Sequence, residues 1–126
     1  MTFVIASAPR TKKTSQNVVK VRGRTFIVQD RAKAAYQKTA VEQLQAQLAE
    51  IRQHGPLTAF GAPVQVRATF YRDKNLGDLV GYMQMIADCL EKAGVVVNDR
   101  LIESWDGTRL AKDALNPRTE LEITAL

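Results

Sequence analysis

The chain has 126 residues, 45% hydrophobic and 25% charged, with one cysteine, one tryptophan and a net charge of +5. That length supports a single domain, residues 1–126, with its own core and no need of disulfides or structural zinc. The lone Cys89 excludes an intrachain disulfide and a cysteine-rich metal knuckle. Set among apolar residues in a helical pattern, it is expected to be a buried thiol rather than a nucleophile, and such cysteine usage suits a reducing cytoplasm. The opening MTFVIASAPR holds too short an apolar run for a signal peptide or a membrane span, so a soluble, cytoplasmic protein with no membrane partner is expected.

The charge is unevenly spread. Residues 1–38 carry nine Lys/Arg against Asp30 alone, giving +8 and leaving −3 for the remainder. A cationic front suits a polyanion, and an acidic remainder suits a metal site. A merely solvated surface is the plainer reading of the same charges.

Residues 2–8 alternate apolar and small side chains and predict a strand stopped by Pro9. Residues 10–16 are basic and aperiodic, a loop. Residues 17–22 and 24–29 flank Gly23 as a β-hairpin. Asp30 is the expected N-cap of the longest helix, about residues 31–53, which ends at Gly55-Pro56. Its apolar stripe takes Ala34, Ala35, Val41, Leu44, Leu48 and Ile51. Residues 63–71 alternate, with Val64, Val66, Ala68 and Phe70 on one face, and predict a half-buried strand. Residues 78–93 predict a second helix closed by Gly94. Leu79, Tyr82, Met83, Ile86, Leu90 and Ala93 form its apolar arc, opposite Asp78, Gly81, Gln84, Asp88, Glu91 and Lys92. Residues 101–105 and 120–124 are the remaining strand candidates. The expected class is α+β, a mixed β-sheet with two main helices.

The second helix opens on a carboxylate, Asp78, and Asp99 follows its far end after a short connection. Carboxylates gathered from a helix start and a strand start can hold Mg²⁺ beside a phosphodiester. Convergence of Asp78 and Asp99 on one cation is therefore the central expectation. Ordinary capping of the helix by Asp78 is the competing one. Gly81 costs a helix about 1 kcal/mol relative to alanine, which suggests that something bulky approaches the backbone there. Asp88 lies about 15 Å of helical rise beyond Asp78, too far to share an ion, and is expected to fix a neighbouring backbone or basic group. Gln84, about 9 Å along the axis, is better placed to reach a phosphate or a metal-bound water.

Asp78, Ala87-Asp88-Cys89-Leu90, Lys92-Ala93-Gly94 and Asn98-Asp99 recur here at the spacing of a known family, without gaps. Pro9 followed by the polar, basic Lys12, Lys13 and Ser15 adds to the likeness. On these residues the chain resembles the RusA-like family of Holliday junction resolvases, common in prophages. The likeness covers nearly the whole chain, with a specific middle and a generic remainder. It implies a RusA-like fold and a homodimeric, Mg²⁺-dependent endodeoxyribonuclease, with Mn²⁺ as a second possible ion. Its substrate would be branched DNA such as a four-way junction, in recombination and repair. The family pattern at the helix start is Asp-x-Asp-Asn-Leu-x-Lys, whereas this chain has Val80 for the second aspartate and Gln84 for the lysine. Either the site is rebuilt, or the chain binds junctions without cutting them.

In a rebuilt site Asp78, Asp99 and Asp106 are the expected metal ligands, Glu103 standing behind Asp106. Asp78, Asp99 and Gln84 are the expected catalytic set. Asp106-Gly107 is equally a plain turn. Lys12, Lys13, Arg22, Arg24 and Lys112 are the expected DNA contacts, Lys112 replacing the missing cation. Contacts of that kind give affinity with little sequence information. Trp105 is expected in the core or a dimer contact, and His54 to complement a helix dipole. The rival from another class is a non-catalytic junction- or duplex-binding module, and a third reading is a protein-interaction domain whose basic front merely aids solubility.

Overall fold

In the computed structural model, residues 1–11, 17–28, 31–53 and 59–126 are described, with the backbone alone across 17–21 and 25–28. In chain order the elements are β1 (Thr2–Ile5), β2 (Asn17–Val21), β3 (Arg24–Val28), α1 (Arg31–Gln53), β4 (Val64–Arg72), α2 (Leu79–Lys92), a 3₁₀ turn (Asp99–Leu101), β5 (Ile102–Ser104), β6 (Arg109–Lys112) and β7 (Arg118–Ala125). The main sheet has five strands in the order β1-β7-β4-β5, with β6 also on β4. β7 pairs antiparallel with both β1 and β4. β5 and β6 run parallel to β4 along one edge, β5 at Val64 and Gln65, β6 at Thr69 through Arg72. The sheet is mixed and two helices accompany it, so the α+β expectation holds.

Alternation in β4 sorts the two faces. Val64, Val66, Ala68 and Phe70 are buried, and Arg67 between them is exposed. Phe3, Ile5, Leu121 and Ile123 extend the apolar face, and both helices pack against it. The opposite face is polar, with Arg67 paired to Glu122 across the β4–β7 register. The free edge of β1 is closed by side chains rather than by another strand. Gln47 of α1 accepts from the Val4 N–H at 2.9 Å and donates to the Val4 carbonyl at 2.7 Å. Gln43, one turn earlier, accepts from the Ala6 N–H at 2.7 Å. Two glutamines four residues apart thus satisfy the backbone that an edge strand leaves open.

The β2–β3 hairpin stands as its own two-stranded sheet. Arg22 and Gly23 both take positive φ, 52° and 78°, the signature of a two-residue primed turn whose twist suits the strands. Arg22 and Arg24 are exposed at its tip. The expected N-cap Asp30, and Lys12, Lys13, Ser15, His54 and Pro56, lie outside the described residues.

Three expectations change in detail. The buried stripe of α1 is Tyr36, Ala40, Leu44 and Leu48, and Ala34 and Ala35 are exposed. A large ring at Tyr36 fills the core where a methyl would leave space, so the stripe turns toward it. In α2 the buried set is Gly81, Tyr82, Met85, Ile86, Cys89 and Leu90, an arc rotated from the expected one. β6 was not anticipated because only Leu110 of its four residues packs against the core; backbone pairing with β4 defines it. No described helix is long and apolar enough to cross a membrane.

Candidate functional site

The helix α2 runs back along β4 and so has one end at each end of that strand. Its start follows β4 through residues 73–78. Its close lies beside the residues that precede β4, where the Phe60 N–H donates to the Val95 carbonyl at 2.9 Å and the Val97 N–H to the Phe60 carbonyl at 3.0 Å. Asp78 is the N-cap: in extended backbone (φ −115°, ψ 162°), its carboxylate accepts from the Gly81 N–H at 2.9 Å. Gly94, at φ +79°, ends the helix in the conformation glycine adopts most cheaply.

What approaches Gly81 is the chain's own Thr11. A Cβ on Gly81 would lie 2.6 Å from Asp78 Oδ1 and 2.8 Å from Thr11 Cβ, so this glycine lets the segment after β1 dock on the first turn of the helix. Gly77 serves the same contact at φ +84°, with Thr11 Cγ2 2.6 Å from where its Cβ would be. The two glycines join the N-terminal segment to the Asp78 end, and Thr11 is the last described residue before Lys12 and Lys13.

That end is cationic. Arg72 closes β4 and donates from Nη1 to the Gly77 carbonyl at 3.2 Å. Lys112 stands opposite Arg72 in the β4–β6 register, and the next residue, Asp113, donates its N–H to the Arg72 carbonyl at 3.0 Å. Arg10, Lys33 and Lys74 line the same concavity. Gln84 is exposed on the outer side of the helix. Of the predicted residues, Asp78, Lys112 and Gln84 therefore belong to this half of the molecule. Arg10, Lys33, Arg72 and Lys74 were missed as a group because they come from three separate stretches of chain.

The other end is of mixed charge, with Glu91 and Asp99 half-buried and Lys92 and Arg100 exposed. The Asp99 N–H donates to Glu91 Oε1 at 3.3 Å, which ties the 3₁₀ turn to the last turns of α2. Asn98 caps that turn through the Arg100 N–H at 2.9 Å. Thirteen residues, about 20 Å of helical rise, separate Asp78 from Glu91. Asp78 and Asp99 thus sit at opposite ends of α2 and do not converge within one chain. The short connection after α2 does not carry Asp99 back along the helix, because Val95 and Val96 are drawn into the core at its end.

Asp106 is elsewhere again. β5 and β6 leave the middle of β4 uncovered, and Thr108 fills the gap by accepting from the Ala68 N–H at 3.0 Å. The intervening Asp106-Gly107 turn lies over Arg67; a Cβ on Gly107 would be 2.7 Å from Arg67 Cδ. Asp106 is exposed there, and so is Glu103. Among the described residues no group of three or more His, Cys, Asp or Glu side chains could hold a metal ion. Within one chain, Asp78 and Asp99, at opposite ends of α2, do not come together as ligands of one ion.

Asp88 does what the helix rise requires: it accepts from Gln37 of α1 and pairs with Lys92 at 3.3 Å, fastening the two helices. Trp105 packs partly buried against the core. Burial raises the pKa of the Tyr36 hydroxyl. Compared with known proteins, the chain matches no family model and no curated protein.

Proposed function

We propose that this chain is a RusA-like protein that acts on branched DNA in recombination or repair, binding the junction through the cationic end of α2. One observation carries the reading: Arg10, Lys33, Arg72 and Lys74 share one concavity beside the cap of α2, with Lys112 on the neighbouring strand. A surface of this kind holds DNA phosphates in place without reading bases. The exposed Arg22 and Arg24 of the hairpin add cations on the same chain. Asp78, engaged as a helix cap, needs no metal to account for its place. Binding without cleavage is the reading that a single chain supports.

Cleavage, as a Mg²⁺-dependent endodeoxyribonuclease, is the second reading, and it requires a homodimer. Val80, 60% exposed, lies in the first turn of α2, and Val97, 63% exposed, lies just past its end. Two copies paired head to tail along α2 would cover both valines and bring Asp78 of one copy toward Asp99 of the other. A labelled four-way junction with Mg²⁺ or Mn²⁺ separates the readings. Shifted but uncut DNA upholds the first and sinks the second. If the junction is cut, mixing two inactive proteins, Asp78→Asn and Asp99→Asn, should restore activity, because one of the two shared sites keeps both carboxylates. No rescue would mean that the acids do not act across a dimer. A protein that neither shifts nor cuts the junction at low salt would overturn the proposal.

A further inference from the structure

The concavity at the start of α2 is a pocket of about 290 Å³ between the segment after β1, the first turn of α1 and the β4–α2 connection. Four cations, Arg10, Lys33, Arg72 and Lys74, line it against one acid, Asp73, a formal excess of three positive charges. Arg72 is its fixed member. Its guanidinium is held by a carbonyl and a ring rather than by a carboxylate: Nη1 donates to Gly77 O at 3.2 Å, and the Tyr82 ring centroid lies 6.0 Å away. That ring is itself immobilised. It stacks on Phe70 with centroids 5.2 Å apart, and its hydroxyl donates to the Leu76 carbonyl. Arg72 Nε is buried and has no acceptor among the described residues.

A guanidinium oriented by neutral groups keeps its charge uncompensated and most of its donors open to an outside acceptor. Arg10 and Lys74, both exposed beside it, add positive charge that an incoming anion would meet. We propose that this pocket binds a phosphate group, Arg72 presenting the oriented donors and Arg10 and Lys74 the surrounding charge. The match is to a tetrahedral oxyanion of charge −1 to −2, small enough for the pocket and able to accept from several donors at once. A nucleic-acid backbone or strand end is the source implied by the functional reading above, on which that part of the inference rests. The chemistry of the pocket does not depend on it.

The test compares wild-type protein with Arg10→Ala/Lys74→Ala, which alters two exposed side chains, and with Arg72→Gln. Backbone amide shifts of Thr11 and Gly77 are followed during titration with inorganic phosphate, and DNA affinity is measured across a salt series. The expected result is that phosphate moves those amides in wild type and far less in either variant. The double variant should also lower the slope of log affinity against log salt by about two, one for each cation removed. Folded variants that bind DNA as wild type does, with the same slope and with amides that phosphate never moves, would overturn the pocket while leaving DNA binding intact. Wild-type protein whose amides respond to phosphate but which binds no DNA would uphold the pocket and overturn the DNA reading.

Discussion

The two ends of α2 carry carboxylates of similar prominence in the sequence and use them in opposite settings. At the start, Asp78 turns onto its own helix, Thr11 packs over Gly77 and Gly81, and the surroundings are cationic. At the close, Glu91 accepts from the Asp99 backbone, the chain bridges to Phe60, and the half-buried acids Glu91 and Asp99 lie among the exposed cations Lys92 and Arg100. A 14-residue helix is a spacer of about 21 Å, so residues that sit close in a motif can be held far apart by the element between them. Local capping and core packing decide where each carboxylate goes; proximity in sequence does not.

Breaking the start of α2 should have the largest effect. Tyr82 is 2% exposed, stacks on Phe70 and lies beneath Arg72. Tyr82→Ala should cost about 3–5 kcal/mol in urea unfolding, as large aromatic truncations do. Tyr82→Phe should cost about 1 kcal/mol for the lost hydroxyl bond to Leu76.

Gly81→Ala comes next. Helix propensity alone predicts a gain of about 1 kcal/mol, but the new methyl meets Thr11 and the Asp78 carboxylate. A net loss of about 1–3 kcal/mol is expected, the usual cost of overpacking. Adding Thr11→Gly to that variant should recover part of it, and a double-mutant cycle measures the coupling. Strict additivity of the two changes would show that Thr11 does not press on the helix.

Smaller effects separate the caps. Asp78→Ala should lose about 1 kcal/mol of stability, and Asp78→Asn almost none, since asparagine caps as well. Asn98→Ala, at the opposite end, should cost less than Asp78→Ala because it caps only a three-residue turn. Equal losses at the two ends in matched denaturant melts would contradict the contrast drawn between them.

The smallest change expected is a pH effect beside the cationic end. Arg118 donates to Asp113 at 2.9 Å and holds its carboxyl below the usual 3.8, aided by the Asn116 and Leu115 N–H groups. A carboxyl depressed by folding stabilises the fold above 3.8 and loses that contribution as pH falls toward its lowered value. Asp113→Asn should flatten the acid side of the stability profile there. Tyr36 works in the other direction: its hydroxyl is raised by burial. Its contribution is complete below pH 10 and declines as alkaline pH ionises the unfolded chain first.

Much of this protein was set by its sequence alone. Alternation through Val64, Val66, Ala68 and Phe70 specified β4 and its buried face, because a strand has a period of two whatever it packs against. Asp78 and Gly94 bracketed α2 through local backbone chemistry, and Asp88 could be excluded from a shared ion by helix rise alone. Tertiary structure decided what depends on contacts between distant stretches. It turned the α1 stripe toward Tyr36, set β6 on the edge of β4, and brought Thr11 down on Gly81. It also gathered Arg10, Lys33, Arg72 and Lys74 into one pocket while sending Asp78 and Asp99 to opposite ends of a helix. Charge carries no direction along a sequence; only packing gives each charged group its neighbours.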